Sequence, residues 1–295
     1  MSLRFVLLGH PVSHSMSPAI HQAAYRELGV NHRYELVDVA DETALAAALD
    51  AVRRGEIAGA NVTVPWKREA LRLSDERDES ARAVGAANVL RRDTSGRVVA
   101  HNTDVPALAE EIRRRVPRVH HVVVIGSGGA ALGAVAAAKL LAAESVSVTA
   151  RRWSSQQRPE EFVHGADFLQ QGATLLPWPV PSEADGAFAA ACRRADVIVQ
   201  ATSAGMHGAE SGHSVADIVP WASLSVGVLA YDVVYNPMET EFLRRAQQHG
   251  LLNAHGLGML VAQAALAIEL WLGQKPAFEP LYTAASECLA ARSRA

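Results

Sequence analysis

Residues 122–133 read VVVIGSGGAALG, and the fold class can be inferred from this segment. Four consecutive apolar residues, 122–125, predict a strand that is buried on both faces. The turn that follows has glycine at positions 126 and 128 and a small residue, Ala131, three positions later. This spacing is typical of a strand-to-helix turn that binds a dinucleotide, because the small residues allow a tight turn, a close approach of phosphates and close helix packing. A plain tight turn between strand and helix is the alternative interpretation.

The segment after the next predicted strand indicates which dinucleotide is bound. That strand covers residues 146–149, and Ala150-Arg151-Arg152 follows it. NAD-binding sites usually have an acidic residue here that holds the ribose 2′-hydroxyl. Arginine instead pairs well with a 2′-phosphate. The segment therefore favours NADP(H), although one or both arginines could be simple surface charge.

The rest of the chain alternates strand and helix patterns, which predicts parallel α/β sheets. With 295 residues the chain is long enough for two such domains, and Val116-Pro117-Arg118 is a candidate hinge between them. The predicted strands are 5–8, 34–39, 61–64, 98–101, 122–125, 146–149, 197–200 and 226–234, with a strand and loop within 173–181. The predicted helices are 17–28, 41–54, 104–115, 129–143, 240–248, 258–272 and 280–291.

Composition excludes several classes of partner. A formal net charge of −3 provides no basic field for nucleic acid or an anionic membrane. No apolar segment reaches about 20 residues without polar breaks, and the N-terminus leads directly into a strand pattern. Cys192 and Cys288, the only cysteines, lack metal-ligand spacing and are expected to be free thiols in a reducing cytoplasm. We therefore expect a cytoplasmic protein without a metal, either a monomer or a homodimer, that acts on a small molecule.

Polar residues before the glycine turn form a second candidate site. Ser15 and Ser17 stand where a helix is predicted to begin, and two hydroxyls there suit a carboxylate, although helix capping alone would explain Ser17. Asn61 and Thr63 are predicted on one face of a strand, since side chains alternate along it. Asp104 follows a predicted strand and begins a predicted helix, where a capping role is the simpler alternative.

Lys67 comes shortly after the strand that contains Asn61. The chain has only three lysines, at positions 67, 139 and 275, among 28 basic residues. Lysine, unlike arginine, can exchange its proton in a protein site, so a lysine in this arginine-rich chain is a modest indication of chemistry.

Taken together, these motifs resemble the shikimate dehydrogenase family. The resemblance rests on Ser-x-Ser-Pro at 15–18, Asn-Val-Thr-x-Pro-x-Lys at 61–67, Gly-Ala-x-Asn at 85–88 and Asn-Thr-Asp at 102–104. It continues with Ala-Thr-Ser-Ala-Gly at 201–205, Tyr-Asp-Val-Val-Tyr-Asn-Pro at 231–237 and Gly-Leu-Gly-Met-Leu-Val-x-Gln at 256–263. Matches extend over nearly the whole chain.

The resemblance implies a fold and a role for each matched residue. It implies an α/β substrate-binding domain with a mostly parallel sheet (residues 1–103, completed by C-terminal helices in 238–295) and a Rossmann-type NADP-binding domain (104–237). Lys67 and Asp104 would be the catalytic pair. The substrate would be bound by Ser15, Ser17, Thr63 and Tyr235 at its carboxylate and by Asn88, Asp104 and Gln263 at its hydroxyls, with Asn61 close by. The cofactor would be bound by Gly126, Ser127, Gly128, Gly129, Ala130, Ala150, Arg151, Arg152, Thr202, Met206, Gly256 and Met259.

The activity implied by the resemblance is the NADPH-dependent reduction of 3-dehydroshikimate. A quinate/shikimate or aminoshikimate dehydrogenase would have the same site with another preference. A non-catalytic NADPH-binding sensor would usually have lost a catalytic group, and a methylene-tetrahydrofolate dehydrogenase would not need the two serines. The chain departs from the family pattern at four places, namely residues 105–107, Ala150-Arg151-Arg152, Gln200 and His255.

Overall fold

Two six-stranded sheets organise the chain, one in each of two compact units. The computed structural model describes residues 2–162, 164–179 and 186–292. The first unit contains Met1–Ala107 and Leu260–Ala295, and the second contains Leu108–Met259. This confirms the predicted α/β class.

The first unit contains a mixed sheet with helices. Its elements are β1 (Arg4–Gly9), α1 (Ser17–Glu27), β2 (Arg33–Asp38), α2 (Glu42–Arg53), β3 (Gly59–Val62), α3 (Lys67–Leu73), β4 (Glu76–Arg77), α4 (Glu79–Val84), β5 (Val89–Arg92), β6 (Val98–His101), the start of α5 (Asp104–Arg113), most of α11 (Leu257–Leu272) and α12 (Phe278–Arg292). The strand order is β2-β1-β3-β5-β6-β4. Strand β5 is antiparallel to both of its neighbours, and the other pairs are parallel.

The second unit contains a sheet that is parallel throughout. Its further elements are β7 (His121–Ile125), α6 (Gly129–Leu140), β8 (Ser145–Thr149), a 3₁₀ turn (Pro159–Glu161), α7 (Gly165–Gln170), β9 (Thr174–Leu176), α8 (Ala187–Arg194), β10 (Val197–Gln200), α9 (His213–Ala216), a second 3₁₀ turn (Trp221–Ser223), β11 (Leu229–Asp232), α10 (Glu241–Gln248) and β12 (Leu252–His255). The strand order is β12-β11-β10-β7-β8-β9. In a parallel sheet all strands end at the same edge, so the turn after β7 lies between the turns that follow β8 and β10.

The unit boundaries differ from the predicted ones. The first boundary falls inside α5 and not at the candidate hinge 116–118. Residues 238–259, which the sequence grouped with the C-terminal helices, belong to the second unit because β12 pairs with β11 along its whole length. Residues 180 and 181 of the predicted loop lie outside the described residues.

The strand predicted at 61–64 is shifted in the structure. β3 begins at Gly59, where a side chain would meet the Trp271 indole, and it ends at Val62. Val64 is 69% exposed, so this apolar residue does not extend the strand into the core. Thr63 therefore follows the strand, so the alternation of side chains along β3 ends before it, and the expected shared face of Asn61 and Thr63 stays a prediction.

Candidate functional site

An ion pair joins the two residues that the sequence proposed as the catalytic pair. Lys67 is the first residue of α3 and Asp104 is the first residue of α5. The Lys67 ammonium donates to Oδ2 of Asp104 at 2.7 Å. Both side chains are partly exposed, so the ammonium is both oriented by a carboxylate and accessible from outside.

The other carboxylate oxygen of Asp104 is held by Asn88. Nδ2 of Asn88 donates to Oδ1 of Asp104 at 2.8 Å and to the Thr103 hydroxyl at 3.0 Å. Oδ1 of Asn88 accepts from the Thr103 backbone N–H at 2.8 Å. Gln263, on α11, brings its Oε1 to 3.5 Å from the same Asn88 nitrogen. Asn88 is 2% exposed, so the Asp104 carboxylate is fixed from the protein interior.

Asp104 is not the helix cap that the simpler interpretation required. Oδ1 of Asn102 accepts from the backbone N–H groups of Asp104 at 3.0 Å and Val105 at 3.2 Å. Asn102 therefore satisfies the N–H groups that begin α5, as capping side chains do. The Asp104 carboxylate is left to bind Lys67 and Asn88.

The two serines also differ from the predicted arrangement. The N-cap of α1 is Met16, and Ser17 is the first helical residue, followed by Pro18. Oγ of Ser15 accepts from the Ser17 backbone N–H at 3.2 Å and lies 3.1 Å from the Ser17 hydroxyl. Arg292, the last residue of α12, donates to the Ser15 carbonyl oxygen at 3.0 Å. The prediction that Ser17 caps the helix is wrong, and its hydroxyl adjoins that of Ser15.

Asn61 lies in a layer of buried aromatic side chains that the sequence did not reveal. Tyr34 donates its hydroxyl to Oδ1 of Asn61 at 2.7 Å, and Nδ2 of Asn61 donates to the Asn88 carbonyl oxygen at 3.2 Å. The Tyr34 ring stacks on His21 with centroids 3.7 Å apart. No motif marks Tyr34 or His21, because their roles arise only when β2, β3 and α1 pack together.

Two of the predicted carboxylate-binding residues fall in different units. Thr63 directly follows β3, and its backbone N–H donates to the Leu8 carbonyl oxygen at 2.8 Å. Its methyl group lies where a side chain at Gly9 would be. Tyr235 is half-buried in the second unit, after β11. The first unit thus brings together Ser15, Ser17, Asn61, Lys67, Asn88, Asp104 and Gln263.

The glycine turn has the geometry that a dinucleotide requires. Gly126 has φ +139°, and a side chain there would lie 2.8 Å from the Ala201 carbonyl oxygen, so only glycine fits. Gly128 is the N-cap of α6, no side chain caps this helix, and a side chain at Gly128 would meet nothing within 4 Å. The open N–H groups of the helix N-terminus can therefore receive phosphate oxygens. The residues that are present fit a pyrophosphate.

Arg151 and Arg152 follow the carboxyl end of β8. Ala150 is buried, and Arg151 and Arg152 are exposed. The Arg151 guanidinium is paired with the Glu210 carboxylate, which the sequence did not predict. Arg151 follows β8 and Glu210 comes after β10, and these two strands lie on either side of β7 in the sheet. The Arg151–Glu210 pair therefore crosses the carboxyl end of β7.

The segment after β10 has its own internal bonds. The longer side chain of Gln200, where the family usually has Asn, accepts from the Thr202 N–H and donates to the Ala204 carbonyl oxygen at 3.0 Å. Met206, a predicted nicotinamide neighbour, is 44% exposed. At Gly256 a side chain would lie 2.1 Å from the Val233 carbonyl oxygen, so packing alone already requires glycine there. Met259 lies in the first turn of α11.

The described residues contain neither a candidate metal cluster nor a candidate membrane span. No group of three His, Cys, Asp or Glu side chains in the described ranges is arranged to hold a metal ion. Within the same ranges, no helix is both long enough and apolar enough to cross a bilayer.

The fold and the glycine turn define the class of protein, a two-unit α/β oxidoreductase with a dinucleotide-binding domain. Comparisons with known proteins identify the family. The shikimate dehydrogenase substrate binding domain matches residues 7–90, and the shikimate 5′-dehydrogenase C-terminal domain matches residues 256–285. A relative from Geobacillus kaustophilus, named shikimate dehydrogenase (NADP(+)), is 36% identical over 276 residues, which cover 92% of each chain. A relative of the same name from Bacillus licheniformis is 35% identical over 291 residues, 97% of this chain and 98% of the relative. The chain belongs to the shikimate dehydrogenase family.

Solved structures agree with this assignment. A shikimate 5-dehydrogenase from Thermus thermophilus, in complex with NADP(H) and shikimate, has a TM-score of 0.78 and 31% identity, covering 97% of this chain and 99% of the other. The 5-ketofructose reductase of a Gluconobacter strain has a TM-score of 0.80 and 26% identity, with the same two coverages. The fold is therefore also used by a reductase of another ketone.

Proposed function

We propose that this protein reduces 3-dehydroshikimate to shikimate with NADPH, reversibly, in the pathway that leads to the aromatic amino acids. The observation that carries the proposal is the 2.7 Å pair between Lys67 and Asp104, whose second oxygen is held by Asn88. The relatives named above bear this activity and NADP(+) in their names.

Reduction of a ketone requires a hydride on carbon and a proton on oxygen. The hydride comes from the nicotinamide when the cofactor is bound. Lys67 donates the proton to the carbonyl oxygen, and its positive charge stabilises the negative charge that develops there. In the reverse direction Lys67 accepts the proton of the alcohol. Asp104 keeps the ammonium aimed and accepts a hydrogen bond from a neighbouring ring hydroxyl.

The remaining residues orient the substrate. The adjoining hydroxyls of Ser15 and Ser17 bind the carboxylate, assisted by Thr63 and Tyr235. Asn61, Asn88 and Gln263 provide amide groups for the ring hydroxyls. With these assignments the first unit is the substrate-binding domain.

The second unit binds the cofactor. Gly126, Ser127, Gly128, Gly129 and Ala130 receive the pyrophosphate, and Thr202, Met206, Gly256 and Met259 lie near the nicotinamide. Arg151, assisted by Ala150 and Arg152 around it, receives the 2′-phosphate, which must replace the Glu210 carboxylate as its counterion. A cytoplasmic location and a monomeric or homodimeric state remain predictions of the sequence.

One assay tests the proposal and its nearest alternatives. The purified protein is offered shikimate and quinate, each with NADP⁺ and with NAD⁺, and formation of the reduced nicotinamide is followed by absorbance. We expect the highest kcat/KM for shikimate with NADP⁺. A preference for quinate or NAD⁺ would instead support a quinate/shikimate dehydrogenase, and binding of NADPH without turnover of either alcohol would support a sensor.

A further inference from the structure

The hydroxyl of Tyr34 is a buried polar group of the first unit that neither the motifs nor the proposed mechanism uses. Tyr34 is the second residue of β2, and it is 6% exposed. Burial raises the pKa of Tyr34 well above its ordinary value, with a smaller rise from Tyr25 and an opposing hydrogen bond from Ser17. The hydroxyl therefore keeps its proton and is a permanent hydrogen-bond donor.

The Asn88 carbonyl oxygen and the Tyr34 hydroxyl together hold the Asn61 amide in one orientation. The Asn88 carbonyl oxygen can only accept, so the Asn61 group that faces it at 3.2 Å must be the nitrogen. The Asn61 oxygen then faces Tyr34 and accepts its proton at 2.7 Å. These two bonds leave one N–H of the Asn61 amide for another acceptor.

The Tyr34 ring is itself held in place. It stacks on His21 with an interplanar angle of 19°. His21 is fully buried, and its Nδ1 lies 2.9 Å from the Ser17 carbonyl oxygen. Because a carbonyl oxygen only accepts, Nδ1 carries the proton. Tyr34 thus donates to Asn61 through its hydroxyl, and its ring stacks on His21, which is hydrogen-bonded to the Ser17 backbone.

We propose that Tyr34 is a positioning residue of the substrate site, whose hydroxyl presents the free N–H of Asn61 to a ring hydroxyl of the substrate. The inference rests on the proposed function, in which Asn61 and Ser17 face the substrate. Asn88, which holds Asp104, does not depend on Asn61 alone, because its carbonyl oxygen also accepts from the Val62 N–H at 2.9 Å. Loss of the Tyr34 hydroxyl should therefore affect substrate binding more than turnover.

The test compares two tyrosine-to-phenylalanine variants from one aromatic cluster. Tyr34→Phe removes the proposed donor. Tyr25→Phe is the matched control, since Tyr25 is also buried, packs against His21 and has a hydroxyl without a hydrogen-bond partner among the described residues. The measurements are kcat, the KM for shikimate, the KM for NADP⁺ and the thermal unfolding temperature.

For Tyr34→Phe we expect the KM for shikimate to rise roughly fivefold or more, as for the loss of one buried hydrogen bond, with a smaller change in kcat and no change in the KM for NADP⁺. Tyr25→Phe should keep the wild-type KM for shikimate. If Tyr34→Phe lowers the unfolding temperature yet keeps the wild-type KM for shikimate, Tyr34 is only structural and the proposal is overturned.

A double variant keeps the test informative if Tyr34→Phe alone does not fold. Asn61→Ala together with Tyr34→Phe removes donor and acceptor, so no buried amide oxygen is left unpaired. Since Tyr34 acts through Asn61, the double variant should have the KM for shikimate of Asn61→Ala alone. A further multiplicative rise would refute action through Asn61. Absence of shikimate turnover by the wild-type protein would instead refute the proposed function, which separates the two failures.

Discussion

The two candidate sites hold their groups in opposite ways. In the first unit, side chains hold other side chains, and Asp104 uses one oxygen for Lys67 and the other for Asn88. In the second unit, no side chain caps α6 at its N-cap Gly128, so the first backbone N–H groups of that helix are open.

The difference follows from what each site must do. A proton donor has to be aimed at one atom, and a network of mutually bonded side chains supplies that precision. A pyrophosphate presents many equivalent oxygens, and a helix N-terminus needs only to be unobstructed to receive them. The first site should therefore be sensitive to the loss of a functional group, and the second to the gain of an obstructing atom.

Loss of the Lys67 amine should have the largest effect on catalysis. Lys67→Ala should lower kcat by about 10²–10⁴-fold, the usual contribution of a general acid, while the dissociation constant for shikimate changes little. Steady-state kinetics and calorimetric titration measure the two quantities. The matched control is Lys139→Ala, an exposed lysine of α6. Turnover close to wild type in Lys67→Ala would remove the proton-transfer assignment.

Loss of the Arg151 guanidinium should weaken the binding of NADPH but not that of NADH. Arg151→Ala should weaken NADPH binding by roughly 10- to 100-fold, as for a charge-assisted hydrogen bond, and leave NADH binding nearly unchanged. Glu210→Gln removes the counterion that competes with the 2′-phosphate and should tighten NADPH binding by up to about fivefold. Dissociation constants from nicotinamide fluorescence test both variants. Equal changes for NADPH and NADH would contradict the 2′-phosphate role.

Substitution by alanine should affect stability at Gly126 and cofactor binding at Gly128. Gly126→Ala forces an alanine to φ +139° beside the Ala201 carbonyl oxygen and should lower the free energy of unfolding by about 1–3 kcal/mol. Gly128→Ala meets open space, so folding should be retained while NADPH binding weakens about tenfold where the phosphates approach. Chemical denaturation and NADPH titration measure these effects. Wild-type NADPH affinity in Gly128→Ala would show that the pyrophosphate does not approach this backbone.

Acid should weaken the first unit through His21. Burial lowers the pKa of His21 from 6.5 to about 3. As the pH falls from 6.5 toward 3, His21 therefore binds a proton in the unfolded chain but stays neutral in the folded one. The contribution of His21 is thus fully present above pH 6.5 and is lost by up to about 1.4 kcal/mol per pH unit within that window. Denaturant titrations of wild type and His21→Phe at several pH values test this. The variant keeps the stacked ring, and an unchanged pH slope would refute the assignment.

The sequence predicted the strand and helix around the glycine turn because their signals are local, whereas α7, α8, α9 and β12 of the second unit were not predicted. The apolar run before Gly126 and the glycine spacing both lie within a dozen residues, and the structure has β7 and α6 there. The region between α3 and β5 was largely missed. Its elements are short, and β5 is stabilised as a strand by pairing with β3 and β6 on its two sides.

The same distinction separates the residues of the candidate sites. Lys67, Asn88 and Asp104 could be selected from motifs, because each motif is a short run of letters. The roles of Tyr34, Asn102 and Glu210 could not be read this way. Tyr34 meets Asn61 27 residues further along the chain, and Arg151 meets Glu210 59 residues further.

The α/β class and the position of the glycine turn followed from the sequence alone, since periodicity and turn chemistry are properties of neighbouring residues. The candidates Lys67 and Asp104 came from the resemblance of short motifs to a known family. The folded structure was needed to show that Lys67 lies 2.7 Å from an oxygen of Asp104, that Asn102 caps the helix in place of Asp104, and that the Tyr34 hydroxyl donates to Asn61. The physical reason is that these contacts depend on strand order and register, which bring together side chains from distant segments of the chain.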